Sequence, residues 1–235
     1  MSTLTVVMPA YNEEGAIRDA VAEVRESVLD RIEGSSLVVV DDGSRDSTGT
    51  ILDELAEADE RVRVIHKPNG GHGPALMTGL DEADSEWVFL VDSDRQMPLE
   101  PVTTLWDAVQ SGDHDAAFGV RRKRDDPALR LWLTGLIRNT LPLLFGVRIR
   151  DANVPYKLFR RSTWLEAQPH IPDGTLAPSL FLAVFMKLRG LRIAEIDVPH
   201  RERETGEVSI KRWKLVKFCG RAFRQMLDFR RSVRR

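Results

Sequence analysis

The sequence is short of cysteine, of tyrosine and of long apolar runs. Its one cysteine, Cys219, cannot close an intramolecular disulfide, so nothing calls for an oxidising compartment and the cytoplasm is the default location. The apolar windows Leu131–Phe145 and Leu176–Met186 fall below the roughly 18–20 residues of a membrane-spanning helix, and Arg138 interrupts the first. Leu4–Met8 is too short for a signal-peptide core. The five histidines show no metal-ligand spacing. No Walker lysine pattern occurs. Gly71-x-Gly73 lacks the third glycine of a dinucleotide fingerprint and follows the third strand pattern instead of the first.

Net charge is also nearly absent, −2 over 235 residues, but the distribution is uneven: residues 1–119 carry −17 and residues 120–235 carry +15. Lys211–Arg235 alone contributes +9. With 42% apolar and 30% charged residues, the chain is globular; disorder, collagen and coiled-coil arrays are excluded for it as a whole.

Five short apolar runs, Leu4–Met8, Leu37–Val40, Val62–His66, Trp87–Val91 and Ala116–Gly119, read as strands buried on both faces. Helical patterns alternate with them. Ile17, Val21, Val24 and Val28 follow an expected Asn12 cap with Glu13 and Glu14 in the first turn. Ile51 and Leu55 follow Ser47, Leu76 and Leu80 follow Gly73, and Val102 to Val109 follow Pro98 and Pro101. This alternation predicts an α/β, doubly wound, mainly parallel sheet with helices on both faces. Ligands of such sheets bind beyond the carboxyl ends of the strands.

Residues at those ends form a rim of acids, glycines and amides. In Asp92-Ser93-Asp94, strand alternation would aim both carboxylates at one point, with Gln96 following. Two acids with little else suit Mg2+ or Mn2+ completed by substrate phosphate and water; a turn and a cap before the Pro98 helix explain the same residues without a metal. Asp41 and Asp42 pose the same choice between a turn and a nucleotide contact, and Gly70–Gly73 between a tight turn and a backbone brought close to a ligand.

Taken together, V-V-M-P-A-Y-N-E-E (6–14), V-V-V-D-D-G-S-R-D-S-T (38–48), N-G-G-H-G-P-A-L (69–76) and F-L-V-D-S-D-R-Q-M-P-L-E (89–100) resemble the family 2 glycosyltransferases of GT-A fold. The D-x-D-x-Q pattern is most like the polyprenyl-phosphate, dolichol-phosphate mannose synthase-like branch. The resemblance implies that Pro9, Ala10, Tyr11 and Glu13 line a nucleotide, with Val40 and Asp42 at its base and Gly71 in the adjoining loop. It implies that Asp92, Asp94 and Gln96 hold Mg2+ or Mn2+, with Asp94 catalytic, that Ser93 contacts the nucleotide and that Arg121 faces the nucleotide sugar. Residues 199–211 resemble a mobile acceptor loop, with Arg203 catalytic and Lys211 near the phosphates. The donor is then a GDP- or UDP-sugar.

The acceptor is left between two classes. A hydroxyl benefits from a general base, for which Asp173 in Ile171–Thr175 is the candidate; a phosphate is already ionised and wants cations, which the second half supplies. The expected divisions are a catalytic domain over 1–210, with donor half 1–121 and acceptor half 122–210, and a basic amphipathic helix over 211–235. Leu215, Cys219, Ala222, Met226 and Phe229 share one helical stripe there. Such a helix either lies on an anionic membrane at the cytoplasmic face or docks on the domain. No nucleic-acid partner is expected, since the acidic rim would be unexplained and no nucleic-acid-binding motif occurs. A homodimer is left open.

Overall fold

Apolar runs of four to seven residues become central strands because both their faces can be covered. The computed structural model of the protein describes residues 3–121, 139–175, 177–201 and 212–234, with the helical backbone alone for 212–219. Five strands run in one direction: β1 (Leu4–Ala10), β2 (Ser35–Asp41), β3 (Val62–His66), β4 (Trp87–Leu90) and β5 (Ala116–Arg121). Two more complete the sheet. β6 (Lys157–Arg160) runs antiparallel between β4 and β5, and β7 (Ile193–Val198) pairs parallel with β5 at the edge. The order is β3-β2-β1-β4-β6-β5-β7, the mixed but mainly parallel sheet of the GT-A fold.

Helices cover both faces. On one side lie α1 (Ile17–Val24), α2 (Thr48–Ala58) and α4 (Val102–Gln110), whose Ile17, Val21, Leu52 and Leu105 pack on Val6, Met8, Val39 and Phe89. A π-helical turn, Arg25–Leu29, extends α1 and keeps Val28 in the same core. On the other side lie α3 (His72–Glu82), α5 (139–145 among the described residues), α6 (Arg161–Ala167), α7 (Pro178–Leu188) and α8 (Arg212–Ser232). Every residue of α7 from Pro178 to Met186 is buried, so it is the central helix of that face. Met226 and Phe229 of α8 are buried against it, Phe229 meeting Phe181 and Phe145, while Phe223 stays half exposed. The described part of the C-terminal stripe is therefore docked on the domain.

The entry to α1 differs from the expected cap. The helix begins at Ile17, and Asn12 sits in the left-handed region at φ 52°. The backbone N–H groups of Asn12, Glu13 and Glu14 are taken by Ser44 Oγ, Thr48 Oγ1 and Asp46 Oδ2, and Asn12 Oδ1 accepts from Arg45 N–H. Side chains of the β2–α2 loop thus compete with the helix for these donors and stitch two rim loops together.

Candidate active site

The strand order reverses between β1 and β4: β2 and β3 step outward from β1, and the chain then returns through α3 to β4 on its other side. Ligands of doubly wound sheets bind in the crevice at such a switch point. A cleft of about 350 Å3 lies there. Pro9, Ala10, Tyr11 and Glu13 form its β1 wall; Asp42, Asn69, Gly71, His72 and Ala75 form its β2 and α3 wall; Asp92, Ser93 and Asp94 close the β4 side.

The glycine loop is shaped by Asp42. This buried carboxylate accepts from Lys67 Nζ at 2.6 Å and from the N–H groups of Gly70 and Gly71 at 2.9 and 2.7 Å. Gly43 lets the two loops touch: its φ is +70°, and a Cβ there would lie 2.8 Å from Asn69 N. Asp41 turns instead toward His66 Nδ1, at 2.9 Å. Burial opposes the charge on Asp41, but bonds from Ser44 and His66 outweigh it and hold the carboxyl below its ordinary value.

Asp92 and Asp94 converge for a different reason from strand alternation. β4 ends at Leu90, and Ser93–Asp94 is a turn. Arg95 follows in the left-handed region at φ 55°, and Gln96 N–H donates to Asp94 Oδ1 at 3.2 Å. The chain reverses so that Asp92 and Asp94 line both the main cleft and a smaller recess of about 30 Å3, which Gln96 also lines. His72 Nε2 donates to Asp92 Oδ1 at 2.8 Å. Burial lowers the His72 pKa, yet the carboxylates of Asp92, Asp94 and Asp42 outweigh it, and the net direction is upward. Among the described residues no group of three or more His, Cys, Asp or Glu is placed to hold a metal by itself. Two carboxylates opening on a cleft fit a hard divalent cation that completes its shell with phosphate and water, and do not fit a closed zinc site.

The recess joins the two halves of the sheet. Arg121 at the end of β5 makes a two-pronged ion pair with Asp151, Nε to Oδ2 at 2.7 Å and Nη2 to Oδ1 at 2.9 Å. Val154, Pro155 and His200 line the same space. Beneath it, Lys157 of β6 is wholly buried and donates to Val154 O and to Ser179 Oγ, while Ser179 Oγ also donates to Val154 O at 2.9 Å. Burial pulls its pKa down to about 7, against the attraction of Asp151.

Not every residue expected at the site reaches it. Val40 is sealed in a core cluster with Val38 and Ala75, so its side chain offers no surface to a ligand. Asp173 is exposed in a turn beside α8, where Arg221 Nη2 donates to Gly174 O, and it lines neither the cleft nor the recess. Arg203 and Lys211 lie outside the described residues. The sequence places Asn69 on the rim and His200 in the 199–211 segment without an individual role for either, and it does not single out Lys157. Asn69 sits in the quoted glycine motif and its amide donates to Asp42 O, a signal that was available; nothing local marks a buried lysine.

A family profile described as "Glycosyl transferase family 2" matches residues 5–182. The chain belongs to this family. Among curated relatives, the undecaprenyl-phosphate 4-deoxy-4-formamido-L-arabinose transferase of Pseudomonas aeruginosa (strain LESB58) is 29% identical over 218 residues, 91% of this chain and 62% of that protein. The protein of the same name from Shewanella sediminis is 30% identical over 209 residues, 87% of this chain and 60% of that one. The family 2 chain described here thus spans about three fifths of the length of these relatives. Among solved structures, glucosyl-3-phosphoglycerate synthase from Mycobacterium tuberculosis, crystallised with Mn2+, UDP and glucosyl-3-phosphoglycerate, superposes with a TM-score of 0.70 at 22% identity, over 97% of this chain and 80% of that chain. S. aureus TarS 1–349 superposes with a TM-score of 0.61 at 20% identity, over 85% and 60%. At these identities the likeness is one of fold.

Proposed function

We propose that this family 2 glycosyltransferase moves a sugar from a GDP- or UDP-sugar to a polyprenyl phosphate, with Mg2+ or Mn2+ held by Asp92 and Asp94 beside Gln96. The observation that carries the reading is that both carboxylates stand on the wall shared by the nucleotide-sized cleft and the recess containing Arg121. The names of the curated relatives support the acceptor class.

When bound, the cation supplies Lewis-acid stabilisation of the diphosphate leaving group. Pro9, Ala10, Tyr11 and Glu13 form one wall for the nucleoside, and Gly71 and the loop shaped by Asp42 the other. Ser93, buried between the two carboxylates on the cleft wall, would contact the nucleotide. Arg121, held in one orientation by Asp151, would bring its guanidinium toward the leaving diphosphate oxygen, on which negative charge builds as its bond to the sugar breaks. Arg203 and Lys211 add cations from the acceptor segment. A phosphate oxygen attacks without a general base, which agrees with the position of Asp173 away from the cleft. In this reading residues 1–121 bind donor and 122–210 receive acceptor, and the work is done at the cytoplasmic face of a membrane. Among the described residues no helix is long and apolar enough to cross one; in this reading the basic segment 211–235 contributes charge toward an anionic lipid surface.

Titration calorimetry of nucleotide sugars with and without Mn2+ tests the proposal. Asp94→Asn is expected to remove the metal-dependent part of donor binding, a loss of at least about tenfold. Unchanged affinity in Mn2+ would overturn the metal assignment.

A further inference from the structure

Arg95 is a bulky residue in a conformation that ordinarily belongs to glycine or asparagine. Its φ of 55° costs an L-residue roughly 1–2 kcal/mol, and such strain persists only where surrounding contacts over-determine it. Those contacts come from α1. Arg95 Nη1 donates to Asp19 Oδ2 at 2.8 Å and Nε to Glu23 Oε2 at 3.3 Å. Asp19 and Glu23 are four residues apart, so they stand one above the other on a helix whose opposite face, Ile17, Ala20, Val21 and Val24, is locked in the core. Glu23 does more than pair: its Oε1 accepts Leu99 N–H at 3.2 Å, so one carboxylate grips both ends of the segment 95–99. Between those ends Gln96 is fixed from two sides, its N–H by Asp94 Oδ1 and its carbonyl by Arg201 N–H at 2.8 Å.

These bonds all act behind the cleft. Arg95 lines a separate surface groove with Asp19, Glu23, Glu100 and Arg201, while Asp92, Asp94 and Gln96 line the recess. With the side chain of residue 95 tied to α1, its backbone must turn left-handed, and that reversal points Asp94 and Gln96 together at one place. Without the tie, the backbone relaxes toward the β region and the two side chains part.

We infer that Arg95 is a positioning residue: clamped by Asp19 and Glu23, it holds the Asp94–Gln96 turn in the conformation that binds the divalent cation. This rests on the metal reading above and predicts a property of the free protein, independent of turnover. The test is Mn2+ binding to the whole chain, followed by the loss of the free-ion electron paramagnetic resonance signal, alongside calorimetry of UDP in chelator. Asp94→Asn is the reference for the metal reading itself. Arg95→Ala releases the tie while keeping the cost of a left-handed backbone; Glu23→Gln weakens the clamp from the other side. Both are expected to bind Mn2+ about tenfold more weakly, the lower end of what losing a partner behind a metal's ligands costs, with UDP affinity in chelator unchanged. Arg95→Lys, which can still reach one carboxylate, should recover most of the loss.

If wild type and Asp94→Asn take up Mn2+ equally, the metal reading fails and the inference falls with it. If Asp94→Asn loses Mn2+ while Arg95→Ala and Glu23→Gln stay within about twofold of wild type, a difference of roughly 0.4 kcal/mol, the metal site stands and the positioning role is overturned. A parallel fall in UDP affinity in chelator would also overturn it, because the clamp would then be supporting the whole rim.

Discussion

The cleft between β1 and β4 and the recess between β4 and β5 share a wall, yet they are held by different forces. Around the cleft, carboxylates and hydroxyls accept from backbone N–H groups: Asp42 from Gly70 and Gly71, Asp46 from Glu14 and Thr48, Ser44 from Asn12. The result is a set of loops fixed to one another in shape. Around the recess the main bond joins charged side chains, Arg121 to Asp151, with a buried lysine below. A rim built on backbone bonds specifies a shape; a recess built on side-chain charges specifies a potential. This sharpens the split of −17 against +15 in the sequence. Much of the acid in the first half lies on helix surfaces, whereas in the second half Arg121 stands at the site itself.

The comparison breaks most visibly at Asp42. Asp42→Asn removes the charge facing Lys67 and turns an amide N–H toward a backbone donor in a buried place, so a stability loss of about 3 kcal/mol is expected. Nucleotide affinity should fall with it, because the glycine loop loses its anchor. Urea titration of the variant decides the point, and a loss under about 1 kcal/mol would mean that the loop keeps its shape without this carboxylate. On the other side of the wall, Arg121→Lys keeps the charge but loses the two-pronged geometry with Asp151. A smaller stability loss, about 1–2 kcal/mol, is expected, with turnover reduced more than nucleotide affinity. Equal effects on both would place Arg121 in the nucleotide wall instead.

The two regions were also unequally legible in the sequence. β1, β2, β4 and β5 are mostly apolar runs because each is covered on both faces, and the carboxyl ends of β2 and β4 named Asp42, Asp92 and Asp94 directly. β6 was invisible: a four-residue strand beginning with lysine carries no such pattern, and Lys157 is tolerable because Val154 O, three residues back, and Ser179 Oγ from α7 accept from it. β7, Ile-Ala-Glu-Ile-Asp-Val, is an edge strand whose acids meet Arg150, so its signal is alternation and not a run. The convergence of Asp92 and Asp94 was expected from the period of a strand that in fact stops at Leu90; a turn with a left-handed arginine produces it. Val40 followed the family pattern by position, but in a sheet covered on both sides a strand residue next to the rim can be sealed from it. Asp173 was drawn from chain order, which carries no information about which end of a helix layer a loop occupies.

Lys157 gives the smallest effect and the sharpest contrast, because it is a lysine of the recess that loses its proton near neutral pH. In the unfolded chain a lysine has a pKa near 10.4; in the fold, burial brings Lys157 to about 7. Below pH 7 both states hold the proton and this group adds no pH dependence. Between pH 7 and about 10 the unfolded state binds more protons than the folded one, so stability rises with pH, by up to about 1.4 kcal/mol per unit. Lys157→Met fills similar volume without a charge and lacks that slope. The stability of the variant minus that of wild type, from urea titrations at pH 7 and pH 8, should therefore fall by about 1 kcal/mol. All other titrating groups cancel in this difference. A difference that stays flat would mean that Asp151 keeps the lysine charged through this range, and that the recess is more strongly anionic than the position of Arg121 implies. Asp151→Asn separates the cases: with that carboxylate neutralised, the drop should reappear.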